Sequence, residues 1–193
     1  MNIYVCIRAQ GLKGLPEEQI FRFDNGVTLV KSPTPLKRKG LICVTDNPFF
    51  NGETPTAQVK HAVLEGTDGV GKTSTIEGLI AQGILCFDRD PIICQYMLFD
   101  VDMKIRCEAY EKYLRTCGHT VVFLVNNSKE ELERRVYSRG NVSQFDKDTY
   151  AYNELYRRTF EEMGNYQTFG KLKLVDCTGL SFVDQIEKVK QSL

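Results

Sequence analysis

The spacing of apolar and polar residues differs between the first 57 positions and the rest of the chain. The first part contains short runs such as Ile3-Tyr4-Val5-Cys6-Ile7, which are typical of β-strands. Two of these runs flank Asn25-Gly26, a dipeptide that favours tight hairpin turns. The predicted strands span residues 3–7, 19–23, 27–30 and 41–44. We therefore predict a small β-rich unit at residues 1–57.

From residue 59 onward, apolar runs alternate with segments of helical period. The run at 121–125 has no polar interruption, as a strand covered on both faces requires. The predicted strands are 62–64, 84–87, 121–125 and 171–176. The predicted helices are 73–82, 92–117 with an interruption near Asp100, 130–137, 149–163, and a last helix from Ser181 or Asp184 to Leu193. This alternation predicts an α/β domain at residues 58–193, with three layers and a mostly parallel sheet.

Composition narrows the classes of partner. The chain has 25 basic and 25 acidic residues, so a general affinity for nucleic acid or for a membrane surface is not favoured. A local basic run at 37–39 leaves two interpretations open, a solvated hairpin tip or an edge that contacts phosphate or nucleic acid. Seven cysteines without a C-x-x-C pair indicate free thiols, and no apolar run approaches 18 residues. We expect a cytoplasmic protein without a membrane partner.

The strongest chemical signal follows the predicted strand at 62–64. The segment Gly66-x4-Gly71-Lys72-Thr73 matches the P-loop pattern, and we call residues 66–73 the P-loop. Its glycines let backbone N–H groups point at phosphate oxygens, while the next helix begins with its positive dipole end at the same anion. Lys72 is expected at the β- and γ-phosphates, and the Thr73 hydroxyl at Mg²⁺. The predicted phosphate-binding residues are Gly66, Asp68, Gly69, Val70, Gly71, Lys72, Thr73 and Ser74.

Two further charged features lie where strands of such a sheet end, which is the edge where ligands bind. Asp88 and Arg89 follow the second predicted strand of the domain. Arg89 is placed to hold an anionic acceptor, and Asp88 to order Mg²⁺ water or to take the acceptor's proton. Arg139 lies beside Gly140 in a polar loop and is the candidate for an arginine that closes over the site. An ordinary ion pair between Asp88 and Arg89 is the alternative.

These residues resemble those of the thymidylate kinases. The similarity covers residues 60–193 and is carried by five segments in order: the P-loop run 64–74, Phe87-Asp88-Arg89-Asp90, Gln95-Tyr96, the region 131–163, and Val175-Asp176-Cys177-Thr178-Gly179. The resemblance implies a P-loop kinase fold and transfer of the γ-phosphoryl group of ATP, with Mg²⁺, to a nucleoside monophosphate such as dTMP. It also leaves a homodimer open, because members of the family tend to dimerise.

The resemblance also implies roles for individual residues. Arg89 would bind the acceptor phosphate, Asp68 the acceptor sugar hydroxyl, and Tyr96 the acceptor. Arg139 would act on the donor side. Thr178 and Gly179 would lie beside adenine, and Thr73 and Asp88 would hold the metal. The implied catalytic residues are Lys72, Asp88, Arg89 and Arg139.

One departure from the family concerns length. Only 14 residues separate Thr73 from Asp88, where the family has additional helices and a strand that contribute to thymine recognition. The base pocket is therefore lost or rebuilt, and residues 1–57 are candidates for covering the sheet edge left by a missing strand. Two alternatives stay open: a P-loop kinase that acts on a nucleoside, a modified base or another hydroxyl, and a non-catalytic ATP-binding accessory protein.

Overall fold

The structure is a computed structural model that describes residues 2–6, 8–22, 28–44, 62–99, 101–138, 140 and 148–193. Its first part is an antiparallel sheet with the strand order β2-β3-β1-β4. The strands are β1 (Asn2–Cys6), β2 (Ile20–Arg22), β3 (Thr28–Ser32) and β4 (Leu41–Cys43). The four strands predicted in this part are confirmed, and the Asn25-Gly26 turn lies outside the described residues.

The second part is a parallel sheet with helices on both faces. Its strands are β5 (Ala62–Glu65), β6 (Cys86–Asp88), β7 (Thr120–Val125) and β8 (Leu172–Asp176), in the order β6-β5-β7-β8. The helices are α1 (Lys72–Ala81), α2 (Pro91–Leu98), α3 (Met103–Leu114), α4 (Lys129–Tyr137), α5 (Thr149–Met163) and α6 (Phe182–Ser192). The α/β fold with a parallel sheet is confirmed, as is the break near Asp100.

The uninterrupted apolar run in β7 serves two cores. Val122 and Leu124 are fully buried in the core that includes residues of α1 and α6. Val121, Phe123 and Val125 are fully buried in a second core with residues of α2, α3 and α5. Successive side chains of a strand point to opposite faces, so a strand inside such a sheet needs apolar residues at every position.

The antiparallel sheet packs onto the first of these cores and reaches the edge of the parallel sheet. Ile3 and Val5 on one face of β1 are buried together with residues of β5 and α1, whereas Tyr4 on the other face belongs to a separate small cluster. The Asp88 N–H at the end of β6 donates to the Val44 carbonyl at 2.6 Å. The N-terminal part therefore covers the β6 edge at this position. The predicted division after residue 57 lies outside the described residues and stays a prediction.

The start of β6 differs from expectation by two residues. The apolar run predicted a strand from Ile84, but β6 begins at Cys86. The Ile84 N–H still donates to the Leu79 carbonyl of α1 at 2.9 Å, and Gly83 has a φ of +83°. Ile84 therefore belongs to the turn that ends the helix, a bond pattern common at helix C-termini.

Two findings bear on the expectations from composition. The seven cysteines carry thiols and not disulfides, which agrees with the expectation from their odd number and spacing. Within the described ranges, no helix has the length and apolar character needed to cross a membrane.

Candidate active site

The P-loop connects β5 to α1 and is held tightly by its neighbours. Gly66 has a φ of +145°, and a Cβ at this position would lie 2.5 Å from the Leu124 carbonyl oxygen of β7. Gly69 has a φ of +83°, and its Cβ would lie 3.0 Å from the Leu132 carbonyl oxygen of α4. Both positions combine a left-handed backbone with close contact to another backbone, which only glycine tolerates without displacement. This is the local reason for two of the motif's glycines.

Lys72 begins α1 and lies inside the loop. Its side chain is only 6% exposed, and Nζ donates to the carbonyl oxygens of Gly66 at 2.7 Å and Thr67 at 2.9 Å. The ammonium also lies 3.9 Å from the Asp68 carboxylate. Burial lowers the pKa of Lys72, and the charge of Arg89 lowers it further. The structure therefore places Lys72 at the centre of the loop.

The rest of the predicted phosphate-binding set surrounds this lysine. Val70 is fully buried, and Gln185 of α6 donates from Nε2 to the Val70 carbonyl at 3.1 Å and to the Thr75 hydroxyl at 2.8 Å. Thr73 and Ser74 are exposed on the first turn of α1. Sequence reasoning missed Gln185, a buried amide that fixes the back of the loop.

Two of the three predicted acceptor residues, Asp68 and Arg89, meet at the loop. Arg89 has a φ of +63°, and among the described residues it is the one non-glycine residue with a positive φ. Its Nη2 donates to the Asp68 carboxylate at 3.2 Å, and its backbone N–H donates to the Leu64 carbonyl at 3.0 Å. Asp88 is buried beside it at the end of β6. A strained backbone of this kind persists only where its surroundings fix it, and such residues cluster at functional sites.

Glu65 helps to fix the backbone beside Arg89, a role that the sequence analysis did not predict. It is fully buried at the end of β5, where it accepts hydrogen bonds from the Asp90 N–H at 2.5 Å and the Tyr156 hydroxyl at 2.8 Å. Burial raises the pKa of Glu65 to about 7, with the charge of Arg89 acting in the opposite direction. A carboxyl in an otherwise apolar strand is costly without partners, and this was the signal in the sequence.

Asp90 fixes the other side of Arg89. Its side chain is fully buried and caps α2 by accepting from the Ile92 and Ile93 N–H groups. It also accepts from the Tyr113 hydroxyl at 2.5 Å, and it lies 2.8 Å from Nε2 of His119. An aspartate followed by proline at the start of a helix is a typical capping pattern, so this role was recognisable in the sequence.

A cavity of about 270 Å³ opens beside Arg89, and we call it the acceptor-side cavity. It is lined by Gly66, Thr67, Asp68, Arg89, Cys94, Met97, Leu98, Tyr152 and Tyr156. Asp68 and Arg89 are therefore brought to one cavity. Tyr96 is not among its lining residues, because its ring packs edge-on against Tyr110 at a centroid distance of 6.3 Å. Met97 and Leu98, which follow Tyr96 on α2, line the cavity instead.

A second cavity of about 440 Å³ lies on the other side of the P-loop, and we call it the donor-side cavity. It is lined by Gly69, Gly71, Ser74, Arg135, Ser138, Leu180, Phe182 and Gln185. Arg135 pairs with Glu131 of the same helix, and its Nη1 also donates to the Gly69 carbonyl of the P-loop at 3.3 Å.

Two of the residues predicted for the donor side, Thr178 and Gly179, are not among the described residues that line this cavity. The Thr178 hydroxyl hydrogen bonds the Asp176 carboxylate and the Asn127 N–H. Gly179 has a φ of +67° in the turn before α6. Arg139 lies outside the described residues. Leu180 and Phe182, which follow that turn, line the cavity instead.

The residues proposed for Mg²⁺ fit that ion in their chemistry. Thr73 offers an exposed hydroxyl on the first turn of α1, and Asp88 a carboxylate at the end of β6. Mg²⁺ prefers oxygen ligands and usually takes only one or two from protein, with the rest from phosphates and water. Such a site requires no cluster of protein ligands, and within the described ranges there is no group of three or more His, Cys, Asp or Glu residues arranged for a metal.

The chain matches no protein-family model, and no curated protein is significantly similar to it.

Proposed function

We propose that this protein is a thymidylate kinase-like P-loop kinase that transfers the γ-phosphoryl group of ATP to a nucleoside monophosphate. One observation carries the proposal: the P-loop is a wall shared by two cavities. Gly66, Thr67 and Asp68 line the acceptor-side cavity, while Gly69 and Gly71 line the donor-side cavity. Phosphoryl transfer requires donor and acceptor phosphates to be held close together and in line, and two cavities that meet at one phosphate-binding loop suit that requirement.

Charge at the meeting point supports the same reaction. The Lys72 ammonium and the Arg89 guanidinium both approach the Asp68 carboxylate, at 3.9 and 3.2 Å. Catalysis of phosphoryl transfer rests mainly on positioning and on neutralising negative charge. Lys72 serves the donor phosphates, and Arg89 holds the acceptor phosphate. Asp68 keeps the two cations oriented and accepts a hydrogen bond from the acceptor sugar.

The remaining walls suit the two nucleotides. Met97, Leu98 and Tyr152 provide an apolar and aromatic surface for the acceptor base. On the donor side, the half-exposed ring of Phe182 is placed to stack on adenine. Thr73 and Asp88 would hold Mg²⁺, which when bound neutralises charge on the transferring phosphoryl group.

The test is release of ADP by the purified chain with ATP, Mg²⁺ and a panel of nucleoside monophosphates. We expect turnover with at least one acceptor, and Lys72→Ala should lower kcat about 10²- to 10³-fold because it removes a charge that acts in the transition state. Lys104→Ala, at a side chain 79% exposed on α3, is the matched control and should keep full activity.

The outcomes separate the alternatives. Turnover with nucleosides or other hydroxyl compounds but with no monophosphate would replace the proposed acceptor class. Tight ATP binding without transfer to any acceptor would contradict a kinase and favour an accessory protein. Unchanged turnover in Lys72→Ala would contradict the role of the P-loop lysine.

A further inference from the structure

A third cavity, of about 310 Å³, adjoins the acceptor-side cavity along one wall. The two cavities share Met97, Leu98 and Tyr152. The side farther from the P-loop contains Arg106 of α3 and Arg158 of α5. A ligand in the acceptor-side cavity can therefore extend past the shared wall toward two guanidinium groups.

Arg106 is unusual in its surroundings. It is only 3% exposed, and its guanidinium donates to the carbonyls of Tyr96 at 3.0 Å and Val101 at 3.3 Å and lies 3.7 Å from the Met103 sulfur. All three partners are neutral, and within the described part of the chain no carboxylate oxygen lies within 4.0 Å of this guanidinium. Burying a full charge is costly unless an opposite charge compensates it.

Arg158 adds a second positive charge at the same cavity. Its side chain is exposed, and by the same 4.0 Å criterion it has no ion pair with any described carboxylate. The preceding residue, Arg157, does pair with Glu154 at 3.8 Å. Carboxylates are thus available on α5, yet Arg158 lines the cavity without one.

A purely structural role explains part of this arrangement. The Tyr96 carbonyl belongs to the last turn of α2, and a helix C-terminus carries about half a negative charge. Arg106 therefore gains partial compensation from the helix. The helix end offsets only part of the charge of Arg106, so Arg106 and Arg158 together leave positive charge at the cavity without a described carboxylate to pair with it.

We propose that this cavity is a second anion site, and that Arg106 and Arg158 hold a second phosphate of the acceptor nucleotide. The acceptor class is then a nucleotide with two phosphates, such as a nucleoside 3′,5′-bisphosphate or a 5′-phosphorylated dinucleotide. The first phosphate lies at Arg89, the nucleoside covers the wall of Met97, Leu98 and Tyr152, and the second phosphate reaches the two arginines. Bidentate guanidinium groups match phosphate geometry. This inference rests on the proposed function for the identity of the first phosphate.

The experiment measures binding by calorimetry, so it does not depend on turnover. Thymidine 5′-monophosphate, thymidine 3′,5′-bisphosphate and inorganic phosphate are titrated into the full chain and into Arg158→Ala and Arg106→Met. We expect the bisphosphate to bind about 10- to 100-fold more tightly than the monophosphate, as a charge-assisted contact predicts. This ratio should fall to about one in Arg158→Ala and persist in the control Arg115→Ala, whose guanidinium pairs with Glu111.

Each outcome decides between stated possibilities. Equal affinity of the two nucleotides for the unmodified chain would overturn the inference while leaving the kinase proposal intact. Inorganic phosphate binding that depends on Arg158, without any advantage for the bisphosphate, would assign the site to a free anion and overturn the acceptor class. Failure of both thymidine nucleotides to bind, together with no turnover of any monophosphate in the panel, would contradict the proposed function itself. If another monophosphate of the panel is the acceptor, the same comparison is made with its own 3′,5′-bisphosphate. Because Arg106→Met also removes two hydrogen bonds to carbonyls, the exposed Arg158 is the decisive position.

Discussion

The residues on the two sides of the P-loop differ in how deeply their supporting groups are buried. On the acceptor side, the backbone next to Arg89 is supported by Glu65 and Asp90, which are both fully buried and each hydrogen bonded to more than one partner. On the donor side, the cavity wall includes exposed side chains, and the ring of Phe182 is 48% exposed. Each cavity also contains the other kind of residue, since Leu98 on the acceptor side is 40% exposed and Gln185 on the donor side is 3% exposed. The difference therefore lies in the support of the two key residues, which is buried for Arg89 and absent from half of the Phe182 ring.

The difference indicates where each kind of recognition resides. The Arg89 guanidinium donates to the Asp68 carboxylate, and the buried hydrogen bonds of Glu65 and Asp90 fix the backbone beside it, so little reorganisation is needed at the moment of transfer. The donor phosphates are expected to contact the backbone of the P-loop. Side chains near the donor base can therefore be changed without loss of these phosphate contacts. Changes on the acceptor side should therefore affect catalysis and folding stability, and changes on the donor side mainly ATP affinity.

The largest expected effect separates the two sides directly. Arg89→Gly removes the guanidinium but keeps a residue that adopts a φ of +63° without strain. We expect kcat/KM for the acceptor to fall about 10²-fold or more, because a charge that acts on the acceptor phosphate is lost. ATP affinity should stay the same, since Arg89 lines the acceptor-side cavity and not the donor-side cavity.

Arg22→Ala, at a side chain 56% exposed in the antiparallel sheet, is the control and should change neither parameter. An equal loss of ATP affinity in Arg89→Gly would show that Arg89 belongs to the donor side, and the contrast between the two walls would then be wrong.

The second effect concerns stability and pH. The pKa of Glu65 rises from its ordinary 4.5 to about 7 in the folded protein. Between these values the native state binds a proton that the unfolded state has released, so the free energy of unfolding falls as pH rises. The contribution is complete below pH 4.5 and is lost as pH passes 7, and its size is about 3 kcal/mol from the shift in pKa.

Glu65→Gln is the variant that isolates this contribution. Its amide keeps an acceptor for the Asp90 N–H and can donate to the Tyr156 hydroxyl, but it does not titrate. Denaturant unfolding from pH 5 to pH 8 should show the variant gaining stability relative to the parent as pH rises. Parallel pH profiles for the two proteins would mean that Glu65 keeps its charge throughout, and that the acceptor wall is less tightly buried than described.

The smallest effect lies on the donor side. Phe182→Ala should raise KM for ATP about fivefold to tenfold, the cost of one stacked base, and leave KM for the acceptor unchanged. Folding stability should hardly change, because half of the ring is already exposed. Val183→Ala is the matched control, since this neighbour is 67% exposed and does not line the cavity. An unchanged KM for ATP would remove adenine stacking from the proposal.

Sequence patterns predicted the elements whose physics is local. The uninterrupted apolar run of β7 and the helical period of α5 predicted the bounds of both elements to within one residue. Each of these patterns is compatible with one type of secondary structure. The start of β6 was wrong by two residues, since the turn that ends α1 uses Ile84 for a backbone bond that hydrophobicity does not reveal.

For the site, the motif located the loop and the arginine beside it but not their supports. Asp68 and Arg89 are 21 positions apart, and their motifs predicted that they share one site. Glu65 and Tyr156 are 91 positions apart, and no motif connects them. A contact over that distance depends on how α5 lies against the sheet, and no single-sequence pattern contains that information. Tyr96 is the opposite case. Its position near the motif predicted a role in acceptor binding, but its ring packs against Tyr110 of another helix.

The bond from Asp88 to Val44 has a consequence for the order in which the protein is made. The antiparallel sheet is synthesised before β5 and β6, yet its apolar face with Ile3 and Leu29 shares a core with Phe87 of β6 and later residues, and Val44 accepts its bond from Asp88. At usual rates of translation, roughly three to twelve seconds separate the synthesis of Leu29 from that of Asp88. The first strands of the nascent chain are therefore exposed to other chains at least until the strand that carries Asp88 has left the ribosome.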